Sequence, residues 1–542
     1  MLRAKNINNE DYLKILPTIL GFLIVAIAGF LTIIFITIKW GIGLSPDSAG
    51  YLAAARNIIN GNGINILFDK YGNPLMTWLP WRDHEIVHLF PWPPFYPAVL
   101  SIFGFIKANL FLTARFLNAF LFGLNIFLII YLIKKYLKST FLAGFAAIIL
   151  IVSKDMLSIH SLFWSEPLFI FLGLMGFVFL FYFLENKKIL FLLISSLFFG
   201  LAFFTRTIGI SLIATSAIAV LLYSEMKPKK KIIYTVLSVF TGFLPFSIWT
   251  LMNRINYGSS PAEFIFHPLG SNAYINILDT LSLWVIPDKA SPKIRIILVS
   301  VLIFVMIIIS LFITYKNRKQ KIDSDYRLNS KIICTLLFFI LFYFIALLSA
   351  RYFFNNAINP SDVRMLLPVL IIIFLVFLFA IKRIIDFYNN ENGIKILIYV
   401  FFGIMLTTSV LNTNAINIFR NGHASRVWYN SETITELIKI QNVNIPIYTN
   451  EPAVIYLFAE RGSYQLPLKR NIHTNRENAN FAKELENELA IIKDNNGIIV
   501  LFDGGWDIFP NKQEINEQAI KSGYEMELIK DSSDGEIFKI KN

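Results

Sequence analysis

The chain has 542 residues, 56% of them hydrophobic and 16% charged, with a net charge of +13. Soluble chains carry roughly 25% charged residues, so a chain soluble along its whole length is excluded. The basic excess lies mostly in short loops between apolar blocks, where it sets orientation in a bilayer. A nucleic-acid partner is therefore not expected.

Residues 1–14 are polar, and an apolar run begins at Ile15. That run is too long for the core of a cleaved signal and reads as a retained anchor. Further apolar blocks of about 17–25 residues match the thickness of a hydrocarbon core. Spans are expected near 15–38, 111–133, 140–153, 166–184, 189–205, 208–223, 232–252, 294–314, 332–350, 365–381 and 394–412, about eleven in all. The block at 140–153 is short and must draw on flanking residues. With the N-terminus in the cytoplasm, every basic cluster falls on one side: Lys134, Lys135 and Lys138; Lys187 and Lys188; Lys227 to Lys231; Lys316 to Arg327; Lys382, Arg383 and Lys395. That satisfies the positive-inside rule. The apolar stretch after Pro93-Pro94-Phe95-Tyr96-Pro97 is too short to span, so it belongs to a long first outer loop, 39–110.

Within that loop, Ser45-Pro46-Asp47-Ser48 reads as a helix start, with Ser45 as cap and Pro46 in the first turn. Asp47 either complements the helix dipole or serves as a general base or metal ligand at the membrane surface. Tyr51 lies on the same helix. His84-Glu85-Ile86-Val87-His88 matches the zinc-protease pattern, but the prolines that follow at once forbid a long helix. His88 is more readily a residue lining some other site.

Glu166, in Trp164-Ser165-Glu166-Pro167, opens the fourth span. An ionisable residue there is a functional candidate or a helix-terminal charge. Arg206, in Phe204-Thr205-Arg206-Thr207, and Arg364, in Asp362-Val363-Arg364-Met365, fall on the outer side, against the positive-inside trend. Each could reach lipid headgroups or grip a phosphate with its guanidinium fork. Beyond residue 412 the composition turns soluble. Ile445–Asn450 and Gly497–Phe502 read as buried strands, and Glu451–Glu460 and Glu477–Lys493 as helices. The expectation is a polytopic α-helical membrane module, 1–412, followed by an extracytoplasmic soluble α/β domain, 413–542.

The order and spacing of these segments, S-P-D-S-x-x-Y, W-P-P-F-Y-P, W-S-E-P-L-F, F-T-R-T-I-G and D-V-R-M-L-L-P, resemble the bacterial relatives of protein O-mannosyltransferases. These are GT-C-type, glycosyltransferase-family-39-like membrane enzymes. Ser48 stands where many of them carry a Glu after the Asp. The resemblance implies a GT-C-like fold in the plasma (inner) membrane. It implies inverting transfer of a hexosyl or pentosyl group from a polyprenyl-phosphate carrier to a lipid, glycan or protein acceptor on the outer face. Asp47 would be catalytic, with Glu166 assisting. Tyr51, His88, Arg206, Asp362 and Arg364 would bind substrate. A divalent metal held by Asp47, Glu166 and His88 is a further reading. The competing functions are a transporter or flippase of lipid-linked sugars, and a membrane metalloprotease built on the HEIVH segment.

Overall fold

The structure, a computed structural model, describes residues 9–39, 41–64, 93–257, 266, 271–302, 324–353, 359–387, 392–414, 426–440, 445–470, 477–504 and 507–541. Helix α1 (Asn9–Ile36) leads to α2 (Pro46–Ile59), α3 (Phe95–Gly104) and α4 (Leu110–Leu132). Next come α5 (Thr140–Val152), α6 (Lys154–His160), α7 (Glu166–Asn186), α8 (Ile189–Phe203), α9 (Ile210–Tyr223) and α10 (Pro228–Tyr257). The helical module closes with α11 (Ser271–Ser282), α12 (292–302), α13 (Ser324–Phe353), α14 (Val363–Phe387) and α15 (Asn392–Asn414).

Six of the described helices, α1, α4, α7, α10, α13 and α14, are long and apolar enough to cross a bilayer. Helices α5 and α6 form a seventh such unit, bent by 59°. The short block at 140–153 is thus followed by α6 across a bend at Ser153, the geometry of a broken span or a re-entrant loop. Three further expected spans, α8, α9 and the apolar part of α15, are shorter than a full crossing, and the block at 294–314 extends beyond the described residues. The expected eleven spans thus reduce to six or seven by length and composition among the described residues.

Ion pairs show which helix ends lie together. Glu225, after α9, pairs with Lys187 at 3.0 Å and with Lys331 at 2.5 Å. Arg383 of α14 donates to Ser330 Oγ of α13 at 2.7 Å. The ends of α7, α9 and α14 and the start of α13 therefore share one basic face, as the charge alternation requires. Short α8 and α9 connect the same two ends as their long neighbours.

Small residues let the helices approach closely, the packing mode expected where lipid offers no hydrophobic drive. A Cβ on Gly123 of α4 would lie 2.4 Å from the Ala26 carbonyl of α1, and one on Gly200 of α8 would lie 2.5 Å from Gly242 O of α10. The hydroxyls of Ser196, Ser216 and Ser238 tie α8, α9 and α10 at 2.7 and 2.8 Å.

The C-terminal part contains α16 (Arg426–Tyr429), α17 (Glu432–Lys439), β1 (Ile447–Thr449), α18 (Pro452–Ala459), β2 (Tyr464–Gln465) and α19 (Phe481–Asp494). It ends with β3 (Ile498–Phe502), α20 (Lys512–Lys521), β4 (Glu525–Ser532) and β5 (Gly535–Lys541). Its five-stranded sheet runs β2-β1-β3-β5-β4, parallel through the first three strands and antiparallel beyond. The two expected strands and two expected helices are present as β1, β3, α18 and α19. Helix α18 buries Ala453, Tyr456 and Leu457 in the same core as Leu52 and Ala55 of α2. The C-terminal α/β unit therefore rests on the helix that carries Asp47.

Burial raises Glu451, at the start of α18, to about 7, and burial with the neighbouring Glu484 charge raises Glu488 of α19 to about 7. Both shifts run upward from an unfolded value near ~4.3, so their stabilising contribution is full below that pH and is lost as pH rises through 7. Hydrogen exchange of β1 and β3 in the full chain, corrected for intrinsic rates, should show protection falling between pH 5.5 and 8. Replacing Glu451 and Glu488 together by Gln should flatten that slope, and an unchanged slope would reject the assignment.

Candidate active site

A short backbone pairing creates the site. Gly43 N–H donates to Ser161 O at 2.8 Å, and Phe163 N–H donates to Gly43 O at 2.8 Å. A Cβ on Gly43 would meet Leu162 Cδ2 at 2.6 Å and Ser161 O at 3.3 Å, so a larger residue would require the Leu162 side chain to shift. The pairing places the start of α2 beside the start of α7. Ser48 Oγ donates to Phe163 O at 3.1 Å, Trp164 Nε1 donates to Ser45 Oγ at 2.6 Å, and the Tyr51 and Ser165 hydroxyls meet at 2.9 Å.

Two carboxylates and two guanidiniums meet at this junction. Arg364 Nη2 lies 2.5 Å from Asp47 Oδ2, and its Nε donates to Glu166 Oε1. Arg206 Nη1 lies 2.6 Å from the same Glu166 oxygen. The Arg364 guanidinium also stacks over Trp164, 4.4 Å from the ring centroid, a cation–π contact. The Glu166 side chain is fully buried, the arginines are 13–14% exposed and Asp47 is 23% exposed. Formal charges sum to zero. That balance allows four ionised groups to sit at the mouth of an apolar bundle, because an unpaired charge in such surroundings costs several kcal/mol.

Each charged residue is held by local chemistry. Asp362 Oδ1 accepts from Arg364 N–H at 2.9 Å, a capping bond at the start of α14 that fixes where Arg364 emerges. Arg206 sits in the turn between α8 and α9. Phe95 N–H at the start of α3 donates to Phe204 O at 3.2 Å and secures that turn. The Pro-Pro-Phe-Tyr-Pro segment thus forms a ten-residue helix beneath the site rather than a span. Its Tyr96 packs edge-on to Tyr51, at 5.2 Å, and donates to Asn118 Oδ1 at 3.3 Å. Burial first, then the Glu166 and Asp47 charges, push Tyr51 up to about 12, so its hydroxyl stays protonated at any physiological pH.

Asp47, Tyr51, Glu166, Arg206 and Arg364 therefore converge, and Asp362 lies one turn away. His88 and the rest of the HEIVH segment lie outside the described residues. Sequence reasoning assigned no role to Trp164 or Ser165, which lie within the motif it singled out. It also passed over Tyr343, whose hydroxyl donates to Met365 O at 2.5 Å from the apolar middle of α13. Among the described residues no group of three or more His, Cys, Asp and Glu is placed to hold a metal ion. In this structure Asp47 and Glu166 are each paired with a guanidinium through one oxygen, and His88, the third residue of that reading, lies outside the described residues.

Glu166 carries the larger structural burden. Glu166→Gln leaves two desolvated arginines short of a counter-ion and should cost about 3–5 kcal/mol, the usual penalty for breaking a buried pair. Asp47→Asn, at the more exposed edge, should cost clearly less. Thermal unfolding of the two purified variants gives the ranking, and an equal or reversed order would contradict it.

No protein-family model and no curated protein matches the chain. Its fold does match solved structures along nearly its whole length. ArnT from Cupriavidus metallidurans, bound to undecaprenyl phosphate, aligns with a TM-score of 0.54 and 9% identity, covering 96% of this chain and 98% of that one. The archaeal oligosaccharyltransferase AglB from Archaeoglobus fulgidus, in complex with an inhibitory peptide and a dolichol-phosphate, aligns with a TM-score of 0.52 and 12% identity. That alignment covers 89% of this chain and 69% of that one. The chain is a multi-pass membrane protein with the GT-C-type fold that its motifs led one to expect.

Proposed function

We propose that this protein is an inverting glycosyltransferase that moves a hexosyl or pentosyl group from a polyprenyl-phosphate carrier to an acceptor hydroxyl on a lipid, glycan or protein. The carrying observation is the convergence of Asp47, Glu166, Arg206 and Arg364 at the end of the bundle opposite the basic loops. The positive-inside rule makes that end extracytoplasmic, in the plasma (inner) membrane. The neighbours solved with undecaprenyl phosphate and with dolichol-phosphate support a lipid-phosphate donor.

The chemistry follows from the charges. A glycosyl phosphate leaves as a phosphate, and negative charge grows on it in the transition state. Arg364 holds two carboxylates while the phosphate is away. When the donor arrives, its phosphate takes the place of Asp47 on Arg364, and Glu166 keeps the inner edge of the guanidinium fixed. Arg364 then stabilises the leaving phosphate, an electrostatic effect of the oxyanion-hole kind, with Arg206 in support. Asp47, released from its ion pair, accepts the proton of the acceptor hydroxyl. The hydroxyl oxygen bonds to the anomeric carbon as the carbon–phosphate oxygen bond breaks, so the anomeric centre inverts. Tyr51, Asp362 and His88 complete the substrate-binding set. In this reading Glu166 acts on the reaction through the arginines it holds.

Asp47→Asn should lower turnover about 10²–10⁴-fold, the usual worth of a general base, with insertion and folding unchanged. The assay follows free polyprenyl phosphate released from a labelled donor. Wild-type turnover in the folded variant would remove Asp47 from the mechanism. Lipid movement across liposomes without release of polyprenyl phosphate would favour the flippase reading instead.

A further inference from the structure

A polar cavity of about 270 Å³ lies where the far end of α2, the turn between α3 and α4, and the residue following α18 of the C-terminal unit come together. Leu52, Ile59, Arg56, Lys107, Asn109 and Glu460 line it. Arg56 lies nine residues beyond Asp47, about 14 Å along the helix at 1.5 Å per residue, so this cavity is separate from the charge cluster. Arg56 is already partnered: its Nη2 lies 2.7 Å from Glu460 Oε1, and its Nη1 donates to the Tyr456 hydroxyl at 3.2 Å. Lys107 is exposed and has no ion pair among the described residues. The cavity therefore carries one net positive charge. Asn109 spends its side-chain oxygen on Phe111 N–H and Leu112 N–H, at 3.0 and 3.1 Å, which leaves its amide group as a donor at the mouth.

The surroundings indicate how a ligand enters. Directly before Lys107, Phe105 is 61% exposed and Ile106 is 75% exposed. They directly follow α3, a helix of ten residues, too short to cross a bilayer and apolar enough to lie in its surface. The cationic mouth thus opens beside two exposed apolar side chains. A soluble anion would gain nothing from that apolar rim, whereas a lipid with an anionic headgroup would use both parts.

We propose that this cavity binds the phosphate headgroup of an anionic membrane lipid, with Lys107 as its principal contact, Asn109 as a donor and the acyl chains lying along Phe105 and Ile106. Occupancy would anchor the junction between α2 and the C-terminal unit to the membrane surface. The proposal stands apart from the sugar-transfer reading.

The test uses the purified full chain in detergent and reads its thermal stability as dioleoyl phosphatidylglycerol is titrated. A ligand that binds only the folded state raises the melting temperature saturably. Wild type and Lys107→Arg should show saturable stabilisation, while Lys107→Glu should need about tenfold more lipid or more, equivalent to ~1.4 kcal/mol. Lys289→Glu, a surface change elsewhere, and Arg364→Lys, in the other cluster, should both respond as wild type does. Wild-type behaviour of Lys107→Glu would overturn the proposal, and so would loss of the response in Arg364→Lys. Equal stabilisation by inorganic phosphate alone would overturn the lipid assignment in favour of a free anion.

Discussion

The arrangement at the membrane surface depends on a single buried carboxylate oxygen. Glu166 Oε1 receives both Arg206 and Arg364. Two guanidiniums this close, and this little exposed, would repel each other without an anion between them. The low effective dielectric that makes such repulsion severe also makes the paired state strong. Glu166 is thus the fixed inner charge. Asp47 is the outer one, more exposed and joined only to Arg364 in the cluster. That asymmetry underlies the proposed division of roles, in which one carboxylate holds the cations in place and the other is exchanged for an incoming anion.

The backbone places these groups within reach. Residues 47, 166, 206 and 364 come from four different stretches of chain, and each sits at a helix terminus or in the turn beside one. Helix ends can present charge to water while the bodies of the helices remain in lipid. The pairing of Gly43 with Ser161 and Phe163 aligns the first two termini, and the capping carboxylate of Asp362 fixes the last. Close crossings at Gly123 and Gly200 let the helices converge tightly enough for the termini to meet. The C-terminal unit leans on α2 through α18, so the helix that carries Asp47 is packed from both sides.

Much of this was legible in the sequence, for reasons that can be stated residue by residue. Long apolar blocks and one-sided lysines fix span direction, and direction alone puts Asp47, Glu166, Arg206 and Arg364 at a common face. The sequence could not reveal that these charges pair, because pairing depends on turns of a few residues whose geometry has no periodic signature. Nor could it assign Trp164 its contact with Arg364, since a Trp at a span boundary is ordinary. In the C-terminal unit, β1 and β3 were readable as continuous apolar runs. The β4–β5 hairpin was not: β4 reads Glu-Met-Glu-Leu-Ile-Lys-Asp-Ser and is mostly exposed, so it carries little hydrophobic pattern. Helix α11 falls between two expected spans, and the helical spacing of its Tyr274, Ile277, Leu278 and Leu281 was a signal that could have found it.

In the proposed reaction Arg364 exchanges a carboxylate for a phosphate. The most direct test of that exchange is the affinity of the purified protein for undecaprenyl phosphate, measured for wild type and for Asp47→Asn at equal ionic strength. Removing the competing carboxylate should tighten binding by about tenfold, even as turnover is lost. Unchanged or weaker binding by Asp47→Asn would mean that Asp47 does not compete for that arginine, and the exchange would have to be abandoned.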